Sequence, residues 1–191
     1  MTEATVFGAH AEGNYTKAKG NSSHAEGYSS ITEGEFAHAE GYQTYARGAH
    51  SHAEGHNSYG TSSQTYSVNG QSYSLIYGAS GVGDHSEGYN TVADSTLSIT
   101  LSDSYGAHAE GVGTVAITNA QHAQGKWNVP DVNLADVVGN GTEETRSNAY
   151  ALTWTGDGKF AGNVYVGCGA DSSGGTMLPK DVQVNGTSII D

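Results

Sequence analysis

Residues 48–56, GAHSHAEGH, bring three histidines, His50, His52 and His56, and the carboxylate of Glu54 within one short segment. Imidazole nitrogens and carboxylate oxygens are ligands for borderline divalent metals and the usual groups for moving protons. His50 and His52 stand two residues apart, so on an extended strand both rings leave the same face. Three copies of that pair about a threefold axis would supply six nitrogens, an octahedral set. His50 and His52 are therefore the candidate metal ligands. No cofactor is expected beyond an axial metal or anion.

The remaining histidines recur with the same neighbours. HAEG occurs at 10–13, 24–27, 38–41 and 52–55, returns as HSEG at 85–88 and HAEG at 108–111, and ends as HAQG at 122–125. Half-way copies lie between them: Ala18-Lys19-Gly20, Thr32-Glu33-Gly34 and Ala46-Arg47-Gly48. Catalysis needs one constellation in one place, and a motif repeated every fourteen residues is the opposite of that. His10, His24, His38, His52, His85, His108 and His122, with Glu12, Glu26, Glu40, Glu54, Glu87 and Glu110, are expected to form structural ladders. No enzymatic activity is expected. Glu143, Glu144, Arg146 and Ser147 fit a polar turn, and GNGTEET lacks the lysine and helix of a phosphate-cradling loop.

A small-x-Gly unit of seven residues is too short for a helical repeat, and recurrent Gly would erode a helix by about 1 kcal/mol each. A short strand with a Gly turn fits. Two units then close one 14-residue coil of a parallel β-roll, each coil stacking on the next at about 4.8 Å. In His-Ala-Glu the Ala faces a narrow interior, while His and Glu share the other face. A carboxylate column is repulsive. The imidazole column beside it is expected to relieve that repulsion and to have its pKa raised by the acids.

Between Gly8 and Ser62 the only Val, Ile, Leu or Phe residues are Ile31 and Phe36. So little apolar area cannot offset the ordering entropy of a lone chain. Assembly, as a homotrimer, is the expected remedy. Val, Ile, Leu and Phe together make up about 15% of the 191 residues, against 28 Gly, 12 Tyr and 2 Pro, a composition of short strands and turns. A net charge of −13 leaves nothing to neutralise phosphates, which argues against nucleic acid or an anionic membrane as partner. No export signal and no apolar segment of membrane-spanning length is visible. The single cysteine, Cys168, rules out an internal disulfide and a cysteine zinc site, and fits a small half-buried position near a strand end.

Two segments interrupt the repeat. Residues 63–78 alternate about Asn69-Gly70, a two-residue hairpin signal, and should project from the roll. Residues 96–104 form a second inserted loop. Loops on rigid scaffolds often carry recognition. Tyr66, Tyr73 and Tyr77 on the hairpin are the candidate receptor or glycan contacts, while Tyr28, Tyr42, Tyr59 and Tyr89 could join a stacking surface. Residues 1–125 thus form the repeat domain. After Gly125, KWNVPD is expected to cap it, with Trp127 covering the open end and Pro130 stopping further pairing. Residues 126–191 read as a β module with strands at 134–139, 148–154 and 159–167 and a turn through Gly156-Asp157-Gly158. A loop at 168–175 and a last strand pair around Asn185-Gly186 follow. This module is a cap, a trimer clamp or a tip.

The A-x-G heptads resemble the head repeats of trimeric autotransporter adhesins, which are left-handed parallel β-rolls. The wording HAEGYQTYARGAHSHAEG, followed by HAQGKWNVPD and VVGNGTEETRSNAYALTWTGDGKFAGNVYVG, resembles phage and prophage tail-fibre or neck-appendage proteins of Gram-positive hosts over roughly 8–62 and 78–167. Adhesin heads carry apolar residues where this chain has His and Glu. The resemblance implies an all-β, trimeric, left-handed parallel β-roll or solenoid followed by a C-terminal β-hairpin-rich module. It implies a structural and host-attachment, receptor-binding segment of a virion appendage, made in the bacterial cytoplasm. Other tail proteins and a host-cell receptor, carbohydrate being one candidate, would be its partners. A purely structural trimerising spacer of the same apparatus and a trimeric surface-adhesin head are the alternatives. Tail-fibre trimers also include H-x-H metal sites, which bears on His50 and His52. Many phage relatives continue into a self-cleaving chaperone domain; no cleavage residues are carried over here.

Overall fold

The computed structural model describes residues 1–56, 63–68, 71–97, 105–162, 183–184 and 187–188. Among these the chain is all-β, with one 3-10 turn at Ser95–Leu97 and no helix long and apolar enough to cross a membrane.

Two sheets dominate, and up to the last repeat the chain passes from one to the other with every heptad. The first sheet holds seven two-residue strands, Glu3–Ala4, Lys17–Ala18, Ile31–Thr32, Tyr45–Ala46, Gly78–Ala79, Val92–Ala93 and Val115–Ala116, all parallel. The second is built on the repeat itself: His10–Ala11, His24–Tyr28, His38–Tyr42, His52–His56, His85–Tyr89, His108–Val112 and His122–Lys126, also parallel. Register is strict. His24 pairs with His38, Ala25 with Ala39, Glu26 with Glu40 and Gly27 with Gly41. Both interruptions are absorbed without a slip, since His52 pairs with His85 and His85 with His108.

The space between the sheets is filled by the smallest side chains. Ala25, Ala39, Ala53, Ala109 and Ala123 from one sheet and Ala18, Ala46, Ala79, Ala93 and Ala116 from the other are fully buried, as the alternation argument requires. Hydroxyls share this core and satisfy one another: Thr32 Oγ1 donates to Ser23 Oγ at 2.8 Å, and Thr44 Oγ1 to Ser30 Oγ at 2.9 Å. Corners turn through the left-handed region, and many of the residues there are not glycine: Tyr15, Ser22, Ser29, Phe36, Gln43, His50, Asn90, Ala120 and Trp127 all have positive φ. Such a residue costs about 1–2 kcal/mol in isolation, so the coils above and below must hold it there.

The hairpin pairs Ser63–Val68 with Gln71–Ile76 in the expected register, Val68 opposite Gln71. The turn at Asn69-Gly70 and most of the 96–104 loop lie outside the described residues. Projection was expected, but the hairpin lies down: Tyr66, Leu75 and Tyr77 are buried against Val92, Val115 and Ile117 on the outer side of the short-strand sheet. Those three aliphatic residues would otherwise face water, and covering them outweighs freedom of the hairpin. Arg146 holds it down. Its guanidinium stacks over Tyr66 and Trp127, 4.8 and 5.1 Å from the ring centroids, and donates to the carbonyls of Gly113 and Asn128.

At Gly125 the two sheets part company. The short-strand sheet stops, and the side-chain amide of Asn128 takes the place of an eighth strand, accepting from Val115 N at 2.8 Å and donating to Val115 O at 3.0 Å. Gln121 likewise accepts from Ile117 N and donates to the carbonyls of Asp131 and Leu134. The long-strand sheet continues: Leu134–Asn140 adds in parallel, with His122 opposite Asp136 and Gly125 opposite Gly139. Asn148–Thr153 then adds antiparallel, followed by Gly158–Phe160. Trp127 therefore does not cover an open end; it packs on Gly113, where a Cβ would run into its ring. Because this ladder is unbroken, the compact units are Met1–Lys159 and Phe160–Asp191, whereas the sequence suggested a division at 125/126. In the second unit Gln183–Val184 pairs antiparallel with Thr187–Ser188. Of the strand expected at 159–167 the described part is Gly158–Phe160; residues 163–167, the 168–175 loop, Cys168 and the Asn185-Gly186 turn lie outside the described residues.

Gly41 shows why the repeat needs glycine. Its φ is +111°, and a Cβ there would overlap the carbonyl oxygen of Gly55 on the next coil. Gly41→Ala should lower unfolding stability by at least about 2 kcal/mol, whereas Gly162→Ala, at a glycine with open space around it, should stay within about 0.5 kcal/mol. Urea denaturation of both variants checks this.

Candidate functional site

Along each H-A-E-G-Y strand the alternation sends His and Glu to the outer face of the long-strand sheet. Parallel in-register pairing then turns each position into a row. The imidazoles of His24, His38, His52 and His85 stack at 4.8–4.9 Å within 7° of parallel, and the file continues to His10 at one end and to His108 and His122 at the other. Asp136 occupies the next position in register, with its Oδ1 3.2 Å from His122 Nδ1. Beside the imidazoles run the carboxyls. Glu12, Glu26, Glu40, Glu54 and Glu87 line an open groove of about 770 Å³ floored by the glycine row.

The two rows are offset so that an imidazole faces two carboxyls, one from its own strand and one from the preceding coil. His52 Nε2 is 3.9 Å from Glu40 Oε1 and 3.9 Å from Glu54 Oε2; His85 Nε2 is 4.0 Å from Glu54 and 3.8 Å from Glu87. These separations are too long for hydrogen bonds. The Nε2 atoms of His24, His38, His52, His85, His108 and His122 are shielded from solvent by the stack and have no hydrogen-bond partner among the described residues.

The carboxyls solve their own repulsion. Hydrogen bonds between neighbouring glutamates hold Glu40 and Glu87 below the ordinary range, while the same bonds push Glu26 up and Glu54 to about 7. Neighbouring carboxyls thus part in pairs, one raised and the next lowered, as closely spaced acids that bond one another do. The imidazoles were expected to be raised by the acids. Instead His52 and His85 are lowered, by burial first and by adjoining imidazoles second. Stacking strips water from the rings, and that loss outweighs carboxylates too distant to bond.

The three histidines of 48–56 part into three different rows. His52 joins the imidazole file. His56 replaces a tyrosine in an exposed aromatic row, Tyr28–Tyr42–His56–Tyr89, stacked at 4.8–5.0 Å. His50 sits on a corner, exposed, stacked on Phe36 at 5.1 Å. His50 and His52 are therefore not brought together as an H-x-H pair, because the corner at His50 turns its ring off the sheet. The described groups able to hold a cation combine ladder residues: Glu12/His24/Glu26, Glu26/His38/Glu40, Glu40/His52/Glu54 and His85/Glu87/His108.

Tyr66 and Tyr77, expected as receptor or glycan contacts, are 6% and 4% exposed, and Tyr73 packs partly buried against them, so their ring faces are not offered to a ligand. Tyr59 lies outside the described residues. The exposed row of Tyr28, Tyr42 and Tyr89 offers mainly ring edges, since the faces are taken by stacking. Asp84 is the residue that sequence reasoning missed. Fully buried, it accepts from the N–H groups of Gly81, Ser95 and Ala107 where the second interruption breaks the coil; burial raises its pKa against the pull of those bonds. The one signal was its position, an acid before His85 where other repeats have Ala, Ser or Gln.

A carboxyl raised in the folded state stabilises that state below the ordinary Glu range of 4.5, and the contribution is lost as pH climbs to about 7. His52 and His85, lowered from 6.5, act oppositely: their contribution is present above 6.5 and lost as pH falls. Glu54→Gln should therefore raise stability over the parent at pH 8, by about 1 kcal/mol after solvent screening, or a few degrees in Tm. The gain should shrink towards pH 5; scanning calorimetry at the two pH values measures it.

Compared with known proteins, the chain matches no family model, no curated protein and no solved structure.

Proposed function

We propose that this chain is a structural segment of a phage or prophage tail fibre or appendage, a homotrimeric left-handed β-roll with 14-residue coils that serves host attachment. The observation that carries the reading is the Ala-and-hydroxyl interior beneath a regular polar face. A core this thin buries little apolar area per residue, which suits enclosure by sister chains. The ladders recur without one distinct nucleophile and base, which favours a structural role over an enzymatic one. Residues beyond the last repeat, 126–191, would act as cap, clamp or tip.

Within that apparatus the spacer reading gains weight from the hairpin, whose tyrosines are buried rather than displayed. Attachment would then rest on its outward residues, Ser72 and Ser74. Sedimentation equilibrium should return three times the chain mass of 19.7 kDa; a monodisperse monomer would overturn the trimeric fibre. Labelled protein should adsorb to some members of a panel of Gram-positive cells, and Ser72→Glu with Ser74→Glu should reduce that adsorption. Unchanged adsorption points to the spacer.

A further inference from the structure

The unpartnered imidazole nitrogens and the crowded carboxyls face one another along the seam between the two rows, on the far side of the carboxyls from the glycine-floored groove, and one kind of ligand satisfies both. We propose that the seam between the imidazole and carboxyl rows binds a file of first-row divalent cations of the Zn2+, Ni2+ and Co2+ class, each held by imidazole and carboxylate donors of successive coils.

The distances support this. An Nε2 to carboxylate separation of 3.8–4.0 Å is too long for a hydrogen bond and about 0.5 Å wider than the gap between two donors of a tetrahedral ion bound at about 2.0–2.2 Å, so a small swing of each glutamate side chain closes the set. In every set the three donor atoms lie within 4.8 Å of one another. The donor atom is also prepared, because stacking has already removed water from Nε2 and fixed the ring plane, so binding costs little further ordering. Each set offers three protein donors, and the groove on the carboxyl side leaves room for a water to complete the coordination.

The donor chemistry sets the class of ion. Ca2+ and Mg2+ take oxygen ligands and gain little from an imidazole nitrogen, which favours the later first-row metals. Sharing of ligands sets the number. Glu12/His24/Glu26, Glu40/His52/Glu54 and His85/Glu87/His108 have no residue in common, whereas Glu26/His38/Glu40 borrows from two of them. Three ions per chain can bind without competing for a carboxylate. The geometry lies within one chain, so the proposal stands apart from the oligomeric state.

The test uses the whole chain, stripped with EDTA and titrated with Zn2+ by calorimetry in excess Mg2+. Three Zn2+ per chain are expected, with a rise in Tm. The double variant Glu40→Gln/Glu54→Gln should lose one third of this capacity, while Glu33→Gln, on the short-strand sheet beside Lys19, should keep all of it. Gln preserves shape and hydrogen bonding, and circular dichroism verifies the fold of each variant. Co2+ in place of Zn2+ should develop the intense visible bands of a four-coordinate ion, which hydrated Co2+ on an acidic surface lacks. Absence of Zn2+ binding in excess Mg2+, or an unchanged capacity in Glu40→Gln/Glu54→Gln, would overturn the proposal.

Discussion

Each side chain in the repeat lies against its own copy one coil away, about 4.8 Å distant, because the two sheets are parallel and in register. A residue type survives at a position only if it tolerates stacking on itself. Alanine does so by filling a narrow interior, and imidazole by lying flat on imidazole. Glycine does so because any Cβ would strike the next coil. Glutamate is the exception: alone it repels, and neighbouring carboxyls answer by shifting apart, Glu40 lowered and Glu54 raised. The short-strand sheet solves the same problem differently, by alternating sign. Lys19 bonds Glu33 at 3.2 Å, and the next position in that row is Arg47.

The same constraint explains where departures from the repeat occur. A stack must end or be interrupted somewhere, and the exposed backbone groups need partners there. Asp84 supplies acceptors for three N–H groups beside an interruption. Asn128 imitates a strand at the end of one sheet. The hairpin and Arg146 cover the few aliphatic side chains on the outer face of the last coils. Polar side chains thus finish the framework, where a larger protein would use more hydrophobic core.

The groove follows from this framework, not from any local arrangement of special residues. Two rows with complementary chemistry, one of nitrogen donors without solvent and one of crowded acids, run side by side for the length of the repeat. Whatever binds or covers that face meets it as a periodic lattice, so recognition there would be counted in coils.

The periodicity was legible in the sequence, as were the Ala interior, the His and Glu rows and the paired strands of the hairpin, because a period of two within a strand and of fourteen between strands decides which residues share a face and which stack. Spacing alone could not assign His50, His52 and His56 to separate rows, since that depends on a positive φ at His50 and on where each strand meets its corner. Nor could it show that Tyr66 and Tyr77 are buried, which depends on which sheet the hairpin falls upon. The pKa values of His52 and His85 moved against the expected direction for a similar reason: proximity to acid was visible in the sequence, whereas desolvation by the stack is a property of the assembled surface. Sequence determines which residues must face their own kind; only tertiary structure decides which of those faces lose their water.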